Sequence, residues 1–135
     1  MLVRREFGFE AAHFLTRYRG GNEPLHGHSW KLVVTLEGPV RDDGMVFDFL
    51  ELGRVVEDEV LSALHHRCLN DVIENPSAEN VAIWVWRRLA RLPLREIEVF
   101  ESPGASAVYA GPRAEPKSTP ARARSRVRGR RPRGG

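Results

Sequence analysis

The chain has 135 residues, 29% of them charged and 41% hydrophobic, with a single cysteine, Cys68. That length suits one small domain whose modest core gains from assembly. One cysteine excludes an internal disulfide and points to a reducing cytoplasm. No stretch approaches the roughly 18 apolar residues of a membrane helix, and Met1–Glu6 lacks a signal-peptide core. The net charge of +3 is unevenly spread: from Pro112 onward nine Lys/Arg face one acid, leaving residues 1–111 at −5. The folded body therefore gives no reason to expect nucleic-acid binding.

Residues 3–14 are rich in Val, Phe and Ala with rough alternation, and predict a long bent strand. Trp30–Glu37 predicts a second strand, ending in a turn at Gly38-Pro39. Arg41–Gly44 is another turn signal, and Met45–Phe49 reads as a short extended piece. From Leu50 to Leu64, Leu52, Val55, Val56, Val60, Leu61 and Leu64 recur at helical spacing. Asn75-Pro76-Ser77-Ala78-Glu79 reads as a helix start, with a capping side chain, proline in the first turn and an acid near the positive dipole end. The helix that follows places Val81, Trp84, Val85, Leu89 and Leu92 on one face and stops at Pro93. Glu96–Glu101 alternates as a strand, and Ala105–Tyr109 follows a Ser102-Pro103-Gly104 turn. Hairpin, two helices, hairpin predicts an α+β fold: an antiparallel sheet with both helices on one face. The outer face and the edges then need cover, which oligomerisation supplies. Residues 112–135, almost all Pro, Gly, Ala, Ser and Arg, read as a disordered basic tail. Its arginines could touch phosphates, but it has no aromatic residue on which a base could stack.

Three of the five histidines, His13, His26 and His28, fall within sixteen positions. His26 and His28 are two apart, so on a strand they share a face. Any one alone reads as an ordinary surface or hydrogen-bonded histidine. Together on adjacent strands they favour a three-nitrogen metal site with an open fourth position, as a catalytic zinc needs. A structural zinc would want cysteines. A cupin-like barrel also uses a His-x-His pair but needs many more strands. Imidazole suits iron, nickel and copper as well.

Glu23, three residues before His26, is either a solvated loop acid or a general base, the latter if burial brings its pKa toward neutrality. His65 and His66, at the end of the first helix, suit either helix-dipole partners or proton shuttles. Glu101 ends the alternating strand; there a carboxylate could grip a guanidine-like N–C–N edge through two hydrogen bonds. Cys68 reads as a small packed hydrophobe.

These segments resemble, in order, the 6-pyruvoyltetrahydropterin synthase / 6-carboxytetrahydropterin synthase family. Phe9-Glu10-Ala11-Ala12-His13 resembles its first zinc-ligand strand, and His26-Gly27-His28 its second and third ligands. Gly44–Phe49 is similar to its G-M-x-x-D-F turn. Leu64–Asn70 is similar to its L-D-H-x-x-L-N segment, and Asn75–Asn80 to its N-P-T-x-E-N segment. Glu101 falls on its pterin-binding glutamate. The match spans residues 5–111.

The resemblance implies a T-fold, a four-stranded antiparallel sheet with two helices in the order ββααββ. It implies assembly into a barrel of trimers or hexamers with sites between subunits. It implies one zinc per subunit on His13, His26 and His28, and a dihydropterin substrate, 7,8-dihydroneopterin triphosphate. Glu101, with Ser77 and Ala78, would bind the pterin, and His66 would carry protons. Two positions depart from the family's pattern. Its cysteine base is replaced by Asn22, while Glu23 gives E-x-x-H-G-H. That resembles a branch in which glutamate replaces cysteine and the product is 6-hydroxymethyl-7,8-dihydropterin. His65 stands where an aspartate would fix the tautomer of His66. The alternatives are a 6-carboxytetrahydropterin synthase of queuosine biosynthesis and a pterin-binding homologue without catalysis.

Overall fold

Two twelve-residue strands, β1 (Leu2–His13) and β2 (His26–Glu37), pair antiparallel from Leu2 opposite Glu37 to His13 opposite His26. The computed structural model describes residues 1–112. The predicted basic tail therefore lies outside the described residues from 113 onward. Alternation along both strands puts Phe9, Ala11 and His13 on one face with Trp30, Leu32, Val34 and Leu36, all buried. β4 (Leu94–Ser102) pairs with β2, and β5 (Ala105–Tyr109) with β4, both antiparallel. Ile97 and Val99 extend the same buried face.

Among the described residues the sheet has five strands where four were expected: with β3 (Arg67–Cys68) the order is β3-β1-β2-β4-β5. The extra strand, β3, is two residues long and runs parallel to β1. It forms because the chain reverses at His66, whose φ is 59°, and its N–H donates to the Glu10 carbonyl at 2.7 Å. The Glu10 N–H in turn donates to the His65 Nδ1 at 3.1 Å. These bonds satisfy a sheet edge that would otherwise carry open backbone groups. Two residues with no alternation leave no periodic trace in sequence.

The predicted Leu50–Leu64 helix is one helical run in three parts: α1 (Phe49–Val56), a π-helical turn (Glu57–Leu61) and α2 (Ser62–Leu64). Met45–Phe49 is not a strand. It pairs with no strand: Val46 and Phe47 form a bend, Phe49 already opens α1, and the Asp48 side chain caps α1 by accepting from the Leu50 N–H at 2.8 Å. The last helix, α3 (Ala78–Arg88), is capped by Ser77, whose hydroxyl accepts from the Asn80 N–H at 3.2 Å. Pro76 thus precedes the cap instead of occupying the first turn. Leu52, Val56, Val60 and Leu64 join Val81, Ala82, Val85 and Leu89 on one sheet face, in a single core. The other face is mostly polar, with Glu6 near Lys31, Glu10 bonded to Ser29, and Arg4 bonded to Thr35, although Val33 is buried on it. Among the described residues no helix is long and apolar enough to cross a membrane.

Removing the cap tests how α3 is held. Ser77→Ala should lower unfolding free energy by about 1 kcal/mol, measured by urea denaturation; no change would mean the hydroxyl contributes nothing to the helix start.

Candidate metal centre

The core face of the sheet continues past the helices and ends in four ligand-bearing side chains. His13 closes β1, His26 and His28 open β2, and Glu101 lies near the end of β4. Each follows the same alternation that buries Phe9, Trp30 and Val99, so one pleat places core and site together. Their ligand atoms all lie within 4.8 Å of one another, an arrangement able to hold a metal ion. Ala11, opposite His28, keeps the space beside that imidazole small-walled. Trp30 forms the floor: its ring meets His13 edge-on at 4.9 Å and His28 at 5.8 Å, and stacks on Phe9 beneath. Its indole N–H donates to the Ala11 carbonyl at 3.2 Å, which fixes the ring.

Backbone carbonyls set the tautomers. The His13 Nδ1 lies 2.8 Å from the Pro76 carbonyl, and the His26 Nδ1 2.8 Å from the Pro24 carbonyl. A carbonyl only accepts, so each Nδ1 carries the proton and each neutral ring presents a bare Nε2. Those two Nε2 atoms are 3.0 Å apart. Two bare lone pairs at that distance repel, and a cation between them removes the repulsion. Tetrahedral zinc would set such a pair roughly 3.3 Å apart. The His28 Nε2 is buried and lacks a hydrogen-bond partner, although the Glu101 Oε1 stands 3.1 Å away. That contact lacks hydrogen-bond geometry and instead resembles two ligands of one ion. Such outer carbonyls on imidazoles are a recurrent feature of metal sites.

Glu101 also approaches His13, at 3.7 Å. It is the extra residue where the β4–β5 register slips between Phe100 and Ser102. Alternation after Ile97 and Val99 already keeps Glu101 on the core face; which histidines it meets depends on how β4 pairs with β2.

Glu23 is not a free loop acid. Its N–H donates to the Leu15 carbonyl at 3.0 Å, and its Oε1 accepts from the Leu15 N–H at 2.9 Å. The side chain is 17% exposed, and the same oxygen lies 3.8 Å from the His26 Nε2. The loop that carries it is tied down elsewhere. The Asn70 side chain bonds both the N–H and the carbonyl of Phe14, at 3.0 and 2.8 Å, and the Asn75 Oδ1 accepts from the Thr16 N–H at 2.9 Å. Two carboxylates therefore flank the histidines, Glu23 beside His26 and Glu101 beside His28 and His13.

His66 does not join the four-ligand cluster. It stacks on His65 with ring centroids 3.7 Å apart and lines a cavity of about 560 Å³ with Glu10, His28, Ser29 and Arg67. The His65 Nδ1 is engaged by the Glu10 N–H. Ser77 and Ala78 follow Pro76, whose carbonyl holds His13, so they start beside the site. The Ser77 hydroxyl accepts from Asn80 and keeps its own proton to donate. Sequence reasoning missed Trp30, Asn70 and the Pro76 carbonyl as determinants of this site. Asn70 belongs to the Leu64–Asn70 segment, whereas a backbone carbonyl carries no sequence signal.

The family model described as 6-pyruvoyl tetrahydropterin synthase matches residues 2–112. A 6-carboxy-5,6,7,8-tetrahydropterin synthase from Synechocystis is 36% identical over 125 residues, covering 85% of this chain and 97% of the relative. A dihydroneopterin monophosphate aldolase from Pyrococcus furiosus is 42% identical over 83 residues, covering 62% and 69%. The solved structure of Caenorhabditis elegans 6-pyruvoyl tetrahydropterin synthase superposes with a TM-score of 0.73 at 28% identity, covering 82% of this chain and 95% of that one.

His26→Ala removes one of the two facing lone pairs. The variant should lose stoichiometric divalent metal while keeping its circular dichroism; one metal per chain retained after dialysis would contradict the cluster.

Proposed function

We propose that this chain, which belongs to the 6-pyruvoyl tetrahydropterin synthase family, is a zinc-dependent lyase. Its substrate in this reading is 7,8-dihydroneopterin triphosphate, whose side chain it cleaves to give 6-hydroxymethyl-7,8-dihydropterin, a folate precursor. The observation that carries the reading is the placement of Glu23, a carboxylate anchored on Leu15 and standing 3.8 Å from the His26 Nε2. The name of the Pyrococcus relative, an aldolase, supports the same cleavage.

His13, His26 and His28 fit zinc through three imidazole nitrogens, two with carbonyl-fixed tautomers. Bound there, zinc would polarise the side-chain hydroxyls and make them more acidic. Glu23 takes the proton from the hydroxyl on the second side-chain carbon. That C–O becomes a carbonyl, and the bond between the first two side-chain carbons breaks. Its electron pair passes into the conjugated dihydropterin ring. Protonation of the first carbon then leaves the hydroxymethyl group, and the rest departs as a two-carbon aldehyde bearing the phosphates. His66 is the auxiliary proton carrier, a role supported by the likeness of Leu64–Asn70 to the family's L-D-H-x-x-L-N segment. Glu101 takes the N–C–N edge of the ring through paired hydrogen bonds. Ser77 and Ala78, at the start of α3, bind beside it.

Assembly into trimers or hexamers, with sites between subunits, would cover the polar outer face and the short edge strands β3 and β5. A cytoplasmic location fits the free Cys68. A second reading, formation of 6-carboxytetrahydropterin, is favoured by the name of the Synechocystis relative. Against it stands Asn22, which cannot act as a base where that chemistry uses cysteine.

The deciding experiment incubates zinc-loaded protein with 7,8-dihydroneopterin triphosphate, and with the monophosphate, and identifies the pterin by chromatography and mass. A hydroxymethyl product supports the lyase; a carboxy product moves the chain to the second reading; bound but unchanged substrate makes it a pterin-binding homologue. Glu23→Gln should lower turnover by at least ~100-fold with zinc content unchanged. Full activity in that variant would remove Glu23 from the base role.

A further inference from the structure

Glu101 has two tasks that one carboxylate cannot perform together. Its Oε1 lies 3.1 Å from the His28 Nε2 and 3.7 Å from the His13 Nε2, without hydrogen-bond geometry toward His28. It completes a set of four ligand atoms within 4.8 Å. Three imidazoles and a carboxylate oxygen make a closed four-ligand set for a tetrahedral divalent ion. Bidentate pairing with an N–C–N edge, by contrast, uses both carboxylate oxygens.

We infer that Glu101 is an exchangeable ligand: it fills the fourth metal position in the free protein and leaves it to hold the ring of an arriving pterin. The inference rests on the pterin reading above and goes beyond it by making ring recognition and metal access one event. The position suits exchange. Glu101 is the extra residue of a strand bulge, and its side chain is one-third exposed. His13, by contrast, is fully buried and pinned by Pro76. Departure of the carboxylate opens the metal only when a ring is already bound, so the side-chain hydroxyls of the same ligand take the vacated place. A ring without a side chain takes the carboxylate and returns nothing. Metal and bare ring then compete for one group, and that coupling must be equal in both directions.

The test uses pterin itself, which is fluorescent and has no side chain, with the full-length protein in zinc-free and zinc-loaded forms. Zinc should weaken pterin binding several-fold, and saturating pterin should weaken zinc by the same factor in a chelator competition. Neopterin, which carries the hydroxyls, should lose that penalty. Glu101→Gln should lower zinc affinity by roughly 10-fold or more, with circular dichroism unchanged. Equal pterin affinity in both forms, or wild-type zinc affinity in Glu101→Gln, would overturn the exchange while leaving the lyase reading intact. Pterin binding to neither form would overturn the pterin reading and the exchange with it, whatever the zinc affinity of the variant.

Discussion

The structure depends on the register of one strand pair. β1 and β2 match residue for residue over twelve positions, and His13 sits opposite His26 at the open end of the hairpin. Because side chains alternate, a slip of one residue would turn every core residue of one strand to the polar face. The same slip would send His26 and His28 away from His13. The apolar run of Phe9, Ala11, Trp30, Leu32, Val34 and Leu36 therefore fixes the candidate metal ligands without touching most of them. Burial of several large side chains, each contributing about 1.5–3 kcal/mol, holds the register more firmly than any bond at the site.

Orientation is a separate matter from placement. The strands deliver the imidazoles to one face, and carbonyls from Pro24 and Pro76 choose which nitrogen points inward. The segments supplying these carbonyls are irregular and are held by side-chain amides. Asn70 pairs with Phe14 as a neighbouring strand would, and the Asn75 Oδ1 accepts from the Thr16 N–H, two residues along. Asn75 adopts a φ of 45°, a left-handed conformation that asparagine tolerates better than most residues. Its carbonyl accepts from both the Ser77 N–H and the Asn80 side chain. The segment resembling the family's N-P-T-x-E-N thus serves as a joint between the His13 loop and helix α3.

What the sequence made legible follows from what leaves a periodic trace. β1, β4 and β5 alternate, the two helices repeat at helical spacing, and three histidines in phase announce a metal. β3 left no trace because two residues have no period. The π-helical turn at Glu57–Leu61 keeps its apolar side chains close enough to helical spacing to hide. Met45–Phe49 misled because an apolar cluster beside a turn mimics a strand, whereas Asp48 behaves as a cap. Glu101 was legible as a carboxylate at a strand end. Its approach to His28 was not, because it depends on the register in which β4 pairs with β2. Glu23 was legible by its spacing from His26, while its anchorage on Leu15 required the folded loop.

The Pro76 carbonyl joins distant parts of the chain in one small volume. His13 ends the first strand, Pro76 precedes the last helix, and Glu101 comes from the strand after it. The β1–β2 hairpin alone carries the three imidazoles, but it lacks the Pro76 carbonyl that orients His13 and the Glu101 carboxylate. A ligand that binds the folded form alone shifts the folding equilibrium, by about 2.7 kcal/mol at a hundred times its dissociation constant. Retention of an ion under competition would then report on folding: the groups able to hold it meet only once the first strand, the segment before the last helix and the strand after it have come together.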